Sequence, residues 1–167
     1  MSRFRPFTRI VCLDAEAADI IVRLGAEGKL VGVSSFAQLP EALAQIPRIG
    51  GFSTPTLQKV ISLEPDLIIA ISDVQADAVA ILLKAGLPVL ALNPHRLCDI
   101  EQNIHLIGAA LGVSAAAKRL AIGFATELAS LRVPRVPRAA GTRPAIFLRS
   151  GQIPWLEVSV GSETSLI

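Results

Sequence analysis

Acid–base, metal or nucleophilic chemistry in this chain would have to come from a small set of residues: Asp14, Asp73, Asp99, His95, His105, Cys12 and Cys98. Two of these aspartates brought together could divide the work of general acid and general base. Each of the three, however, stands where a segment with helical periodicity begins, and an N-cap accepting backbone N–H groups accounts for it. His105 lies within an apolar helical run and His95 in a loop after a strand. Neither shares a metal-ligand spacing with a cysteine or an acidic residue. Cys12 falls in an apolar run and Cys98 at a loop-to-helix junction, and both read as unpaired structural thiols. Cofactor loops are missing as well. The turn after the first strand, residues 13–19, contains no glycine that would let a backbone approach a pyrophosphate. No Gly-Lys-Ser/Thr phosphate loop occurs, and Ser150-Gly151 lacks the nucleophile-elbow pattern. An enzyme is not expected.

The elements that would position these residues alternate over the first hundred positions. Residues 9–13 read as a short buried strand. A helix over 14–24 follows, with Ala17, Ile20, Ile21 and Leu24 at helical spacing and Gly25 as its close. A strand is expected over 30–33 and a short helix over 41–45. The next helix is expected to start with Thr54 as N-cap and Pro55 at its first position, and to run to residue 63. Leu67-Ile68-Ile69-Ala70-Ile71 is continuously apolar, the mark of a parallel strand covered on both faces. A helix over 73–85 and a strand over 88–92 come next. Asp99 with Gln102 makes a capping-box-like start to a helix ending at Gly112, and a longer helix spans 114–131. The stretch 133–144 carries three prolines and reads as a linker, after which a new strand is expected over 145–148.

This alternation specifies an α/β fold built on a parallel-sheet, Rossmann-like lobe. The domain reading is a first lobe over residues 9–113, a long connecting helix over 114–132, a linker over 133–144 and the beginning of a second α/β lobe over 145–167. In open parallel sheets the ligand lies beyond the carboxyl ends of the strands. That places five segments on one rim: 14–15, 34–36, 52–54, 72–73 and 93–96.

The composition suits a double-covered sheet. Of 167 residues, 51% are hydrophobic and 18% charged, which excludes a disordered chain. A net charge of +2 gives no footprint for nucleic acid. The mean hydropathy of +0.55 raises the question of a membrane helix. The longest candidate, residues 104–117, is interrupted by His105 and Ser114 and falls short of the ~20 apolar residues of a span, so no transmembrane segment is expected. The basic opening resembles the start of a secretory leader. The apolar run after it, Ile10-Val11-Cys12-Leu13, is well short of the roughly 7–15 residues that a leader needs, so none is expected in these residues.

Several stretches, in order and spacing, resemble the substrate-binding proteins of cobalamin and iron-siderophore ABC importers, the helical-backbone class of periplasmic binding proteins. They are Arg9-Ile10-Val11-Cys12-Leu13, Leu24-Gly25-Ala26 through Val31-Gly32-Val33-Ser34-Ser35-Phe36, Ile46-Pro47-Arg48-Ile49-Gly50-Gly51-Phe52-Ser53 with Leu57, and Ser62-Leu63-Glu64-Pro65-Asp66-Leu67-Ile68. The likeness is densest over residues 9–131 and weaker over 143–167. It implies two α/β lobes joined by one long helix, with a metal chelate (cobalamin, a ferric siderophore or a haem-like molecule) held between them and delivered to an ABC permease. It implies no resident cofactor and a periplasmic or cell-surface location, with a cytoplasmic one left open by the missing leader. Phe36 and Phe52 are the aromatic candidates for ligand contact, because aromatic residues in irregular rim loops have little core to fill. Ser35, Ser53, Ser72, Asp73, Asn93 and His95 are the polar candidates, and Trp155 would face the ligand from the second lobe. Two departures stand out. The family usually carries a glutamate after the leucine at position 57, used to dock on the permease, and this chain has Gln58. The second lobe also stops soon after its first strand. A non-transport or cytoplasmic interaction module derived from the family is the alternative reading.

Overall fold

The computed structural model describes residues 5–71 and 73–130, together with the strand residues 145–146 and 160–161. Two compact units divide the chain, Met1–Leu131 and Arg132–Ile167. In the first, β1 (Ile10–Cys12), β2 (Leu30–Val33), β3 (Leu67–Ile71) and β4 (Val89–Leu92) form a fully parallel sheet in the order β2-β1-β3-β4. Between and after them come α1 (Ala15–Arg23), α2 (Leu57–Ser62), α3 (Ala76–Lys84), α4 (Leu97–Ala110) and α5 (Ser114–Ser130). The α/β class and the parallel sheet are as the sequence predicts.

Period-two alternation decides which helices cover which face. Ile10, Cys12, Leu67, Ile69 and Ile71 point into one apolar layer with Ile20, Ile21, Ile104, Ile107, Leu111 and Ala117, contributed by α1, α4 and α5. Val11, Leu13, Ile68 and Ala70 point into the other with Ile49, Val60 and Leu82. Both faces of β3 are therefore buried along its whole length, the reason its sequence is apolar without a break.

Local chemistry sets the helix ends. Asp14 caps α1 by accepting the Glu16 N–H at 2.6 Å. At the other end Gly25, at φ +67°, supplies the left-handed turn, with Ala26 donating to Ile21 and Gly25 to Val22. α2 closes on Glu64 at φ +47°, and the Arg9 guanidinium donates to the carbonyls of Leu63 and Glu64. α4 and α5 cross closely: a Cβ built on Gly108 would lie 2.3 Å from that of Ala117.

Four local expectations shift. α2 begins at Leu57 rather than on a Thr54 cap, because Pro55 bridges to Gly50 and Thr56 donates to Ile49 at 2.7 Å, holding that stretch extended. Residues 41–45 make only a 3-10 turn, Glu41–Leu43. Asp73 opens a 3-10 turn, Asp73–Gln75, and α3 starts after it because the Gln75 side chain turns inward to the strand ends. α4 starts at Leu97, ahead of Asp99, which sits in its first turn and accepts the N–H groups of Arg96 (2.9 Å) and His95 (3.0 Å). The anticipated linker at 133–144 lies outside the described residues. In the second unit β5 (Ala145–Ile146) pairs antiparallel with β6 (Val160–Gly161), and residues 147–148 of the expected strand lie outside the described ones.

Candidate functional site

Loops at the carboxyl end of the sheet gather the sequence-predicted residues into two groups. The first forms beyond β1 and β2. Ser34 leaves β2 fully buried and donates its N–H to the Cys12 carbonyl at 2.9 Å, which fixes where the next two residues emerge. Ser35 and Phe36 are exposed there, and Phe36 is 66% exposed. The loop from residue 47 to 56 runs alongside. It continues the sheet edge through an Arg48–Val33 bridge, with Val33 donating to Pro47 and Ile49 donating to Val33. Ser35 donates to Gly50 at 2.8 Å, so the β2 loop and this loop are pinned together beside Phe36. Gly50 has φ +114°, and a Cβ there would come within 3.0 Å of backbone atoms of Thr54 and Thr56. The Phe36 ring reaches over Gly51: its Cε2 would be 3.8 Å from a Cβ at that position. Phe52, half-buried, and Ser53, exposed, follow immediately.

The second group forms beyond β3 and β4. Asp73 and Asn93 line one open groove of about 280 Å³ with Ala76, Val79, Leu83 and Ala91. His95 lies exposed just outside it, its backbone N–H bound to Asp99. Ser72 and Trp155 lie outside the described residues, so Asp73, Asn93 and His95 are the predicted residues located on this side.

Electrostatics separate structural carboxylates from the rim. Burial raises Asp14 above the ordinary carboxylate range, against the N–H groups of Glu16 and Ala17 that pull it down. Burial, and then the neighbouring Asp14, raise Glu16 as well, with the amide of Asn103 working in the opposite direction. Backbone donation from His95 leads the causes that lower Asp99. Burial opposes, but donation from Arg9 and Thr8 overcomes it and lowers Asp66. Burial first, and Asp14 second, push the Cys12 thiol far above its ordinary range, leaving it inert. Asp14 and Asp99 thus serve as helix-terminus acceptors. No group of three or more potential metal ligands occurs among the described residues.

Two positioning residues escaped the sequence reading. Arg48 donates to the carbonyls of Ser34 and Ala37, tying the second loop under the first. Gln75, 1% exposed, bonds Leu13, Ile71 and Phe52. Its signal was present: 75, 78 and 82 fall at helical spacing, and all three are buried.

What this arrangement can do is bind. Exposed aromatic and small polar groups on loops held by backbone bonds suit a bulky ligand with a large apolar surface and few orienting hydrogen bonds.

An uncharacterized ABC transporter substrate-binding lipoprotein, YvrC of Bacillus subtilis, is 30% identical over 150 residues, covering 87% of this chain and 48% of that protein. The crystal structure of the periplasmic vitamin B12 binding protein BtuF of Vibrio cholerae superposes with a TM-score of 0.69 at 27% identity, covering 76% of this chain and 50% of that one. A periplasmic heme binding protein from Pseudomonas aeruginosa gives 0.68 at 29% identity, covering 74% and 45%. The chain thus spans about half the length of each. The same parallel sheet and rim loops lie within the stretch from residue 10 to 154 that matches the periplasmic binding protein family, and to that family the chain belongs.

Proposed function

We propose that this chain supplies the ligand-binding lobe of an ABC-importer substrate-binding protein whose cargo is a metal chelate: cobalamin, haem or a ferric siderophore. The family consists of periplasmic binding proteins rather than enzymes, which supports capture and release. One observation carries the reading. Phe36 stands 66% exposed on a loop pinned by the Ser35–Gly50 hydrogen bond, with its ring against Gly51. A large aromatic residue held out of the core by a rigid loop offers a preformed apolar face for a planar chelate. Two structural relatives are described as binding vitamin B12 and heme, which narrows the candidates to this chemical class.

The chelate is cargo, so no resident cofactor is invoked. The partner would be an ABC permease, reached from outside the cytoplasmic membrane, and no helix among the described residues is long and apolar enough to cross one. Gln58 lies exposed on α2, so docking at that position would use a neutral amide instead of a charge-assisted contact. The relatives named above support transport, and none supports the interaction-module alternative.

Absorbance titration of the full chain with cobalamin, hemin and a ferric siderophore tests the proposal. Saturable one-to-one spectral change with at least one of them is expected. Unchanged spectra with all three would overturn it.

A further inference from the structure

One buried side chain joins three parts of the rim. Gln75 ends the 3-10 turn ahead of α3 and is 1% exposed. Its Oε1 accepts the Ile71 N–H at 3.0 Å, at the end of β3. Its Nε2 donates to the Leu13 carbonyl at 3.0 Å, just past β1, and to the Phe52 carbonyl at 3.1 Å. A primary amide has two N–H donors, so one is committed to the sheet and the other to the loop. β1 and β3 are neighbours in the order β2-β1-β3-β4, and the chain turns in opposite directions from them. This is the switch point of the sheet, where a crevice opens.

The Phe52 loop is attached at its ends through Ser35 to Gly50 and Thr56 to Ile49. Between those ends Phe52 is drawn to the centre of the sheet by Gln75. Arg48, on the same loop, donates to Ser34 and Ala37 and so ties it to the Phe36 loop, while Gln75 ties it to the ends of β1 and β3. We propose that Gln75 is the positioning residue of the rim: its amide sets the height of the Phe52 loop over the switch point, and with it the aromatic surface presented to a ligand. This rests on the rim being the chelate site.

The chemistry demands an amide. Glutamate in its ionised form would turn acceptors toward two carbonyl oxygens. Methionine fills similar space but leaves the Leu13 and Phe52 carbonyls and the Ile71 N–H without their partner, in a place where an unmet polar group is costly.

The test uses the full chain in three forms: native, Gln75→Met and Gln75→Glu, the second variant guarding against misfolding of the first. Amide hydrogen exchange is followed residue by residue, and affinity is measured for cobalamin, hemin and a ferric siderophore. In a folded variant, exchange at Ser35 and Thr56 should accelerate at least tenfold more than exchange within β1 and at Ile68 and Ile69 of β3, away from the Ile71 amide that Gln75 itself accepts, and affinity for any chelate the native chain binds should fall at least tenfold. Uniform acceleration across loop and strands would overturn the inference, since that is what a merely stabilising residue produces. Unaltered loop exchange in a folded variant would overturn it too. If the native chain binds none of the three chelates, the functional reading fails, and the exchange pattern alone decides whether Gln75 holds the loop.

Discussion

Asp14 and Asp99 show how a residue suited to catalysis can be fully employed by the backbone. Asp14 accepts from Glu16 and ends β1's exit turn, and Asp99 accepts from Arg96 and His95. Their titration is displaced in opposite directions, because burial dominates at Asp14 while donation dominates at Asp99. A raised carboxyl binds its proton more tightly in the folded chain than in the unfolded one. Stability referable to Asp14 therefore falls as pH rises through the window just above the ordinary aspartate value of 3.8 and is regained on acidification. Asp14→Asn keeps a capping acceptor and deletes this titration. Its stability relative to the native protein should be greatest near neutral pH and should shrink as pH falls toward 4, roughly, as followed by urea midpoints across pH. Asp14 was legible from the sequence as a cap. The spacing of Gln75 with Ala78 and Leu82 marks a buried face, but its anchoring role shows only once the strand ends and a loop carbonyl are placed around it.

At the scale of elements, the sequence carried strands better than helix starts. The unbroken Leu67–Ile71 run and the Gly25 close each carry their signal within their own segment of sequence. The start of α2 does not. Thr54-Pro55 has the local signature of a helix start, but a bridge from Pro55 back to Gly50 and a bond from Thr56 to Ile49 keep those residues extended. The α4–α5 pair is another case decided by tertiary fit. Alanine at position 108 would gain about 1 kcal/mol of helix propensity, but its methyl group would meet Ala117 at 2.3 Å. The helices would have to separate, and overpacking of this kind costs about 1–3 kcal/mol. Gly108→Ala is expected to lower stability by about 1 kcal/mol net, read from the urea midpoint at unchanged m-value. An unchanged or raised midpoint would show that the crossing has slack.

For the molecule as a whole, the high apolar content is explained by a sheet buried on both faces between α1, α4 and α5 on one side and α2 and α3 on the other. The fold class was legible because it follows from the β–α order, and the same order places the candidate rim. The exact ligand surface was less so. Ser35 and Phe36 lie on a loop pinned to the one that carries Phe52 and Ser53, Asp73 and Asn93 share a groove with His95 outside it, and the partners of the anchors Arg48 and Gln75 are set by long-range contacts. The proposed function requires this rim to bind a bulky metal chelate through its exposed aromatic face. Calorimetric titration of native chain and Phe36→Ala in parallel, with whichever of cobalamin, hemin or ferric siderophore binds, tests it most directly. Losing one ring face of apolar contact is worth about 1–1.5 kcal/mol, so the account predicts about tenfold weaker binding at unchanged thermal stability. Equal affinity in the two proteins would contradict it.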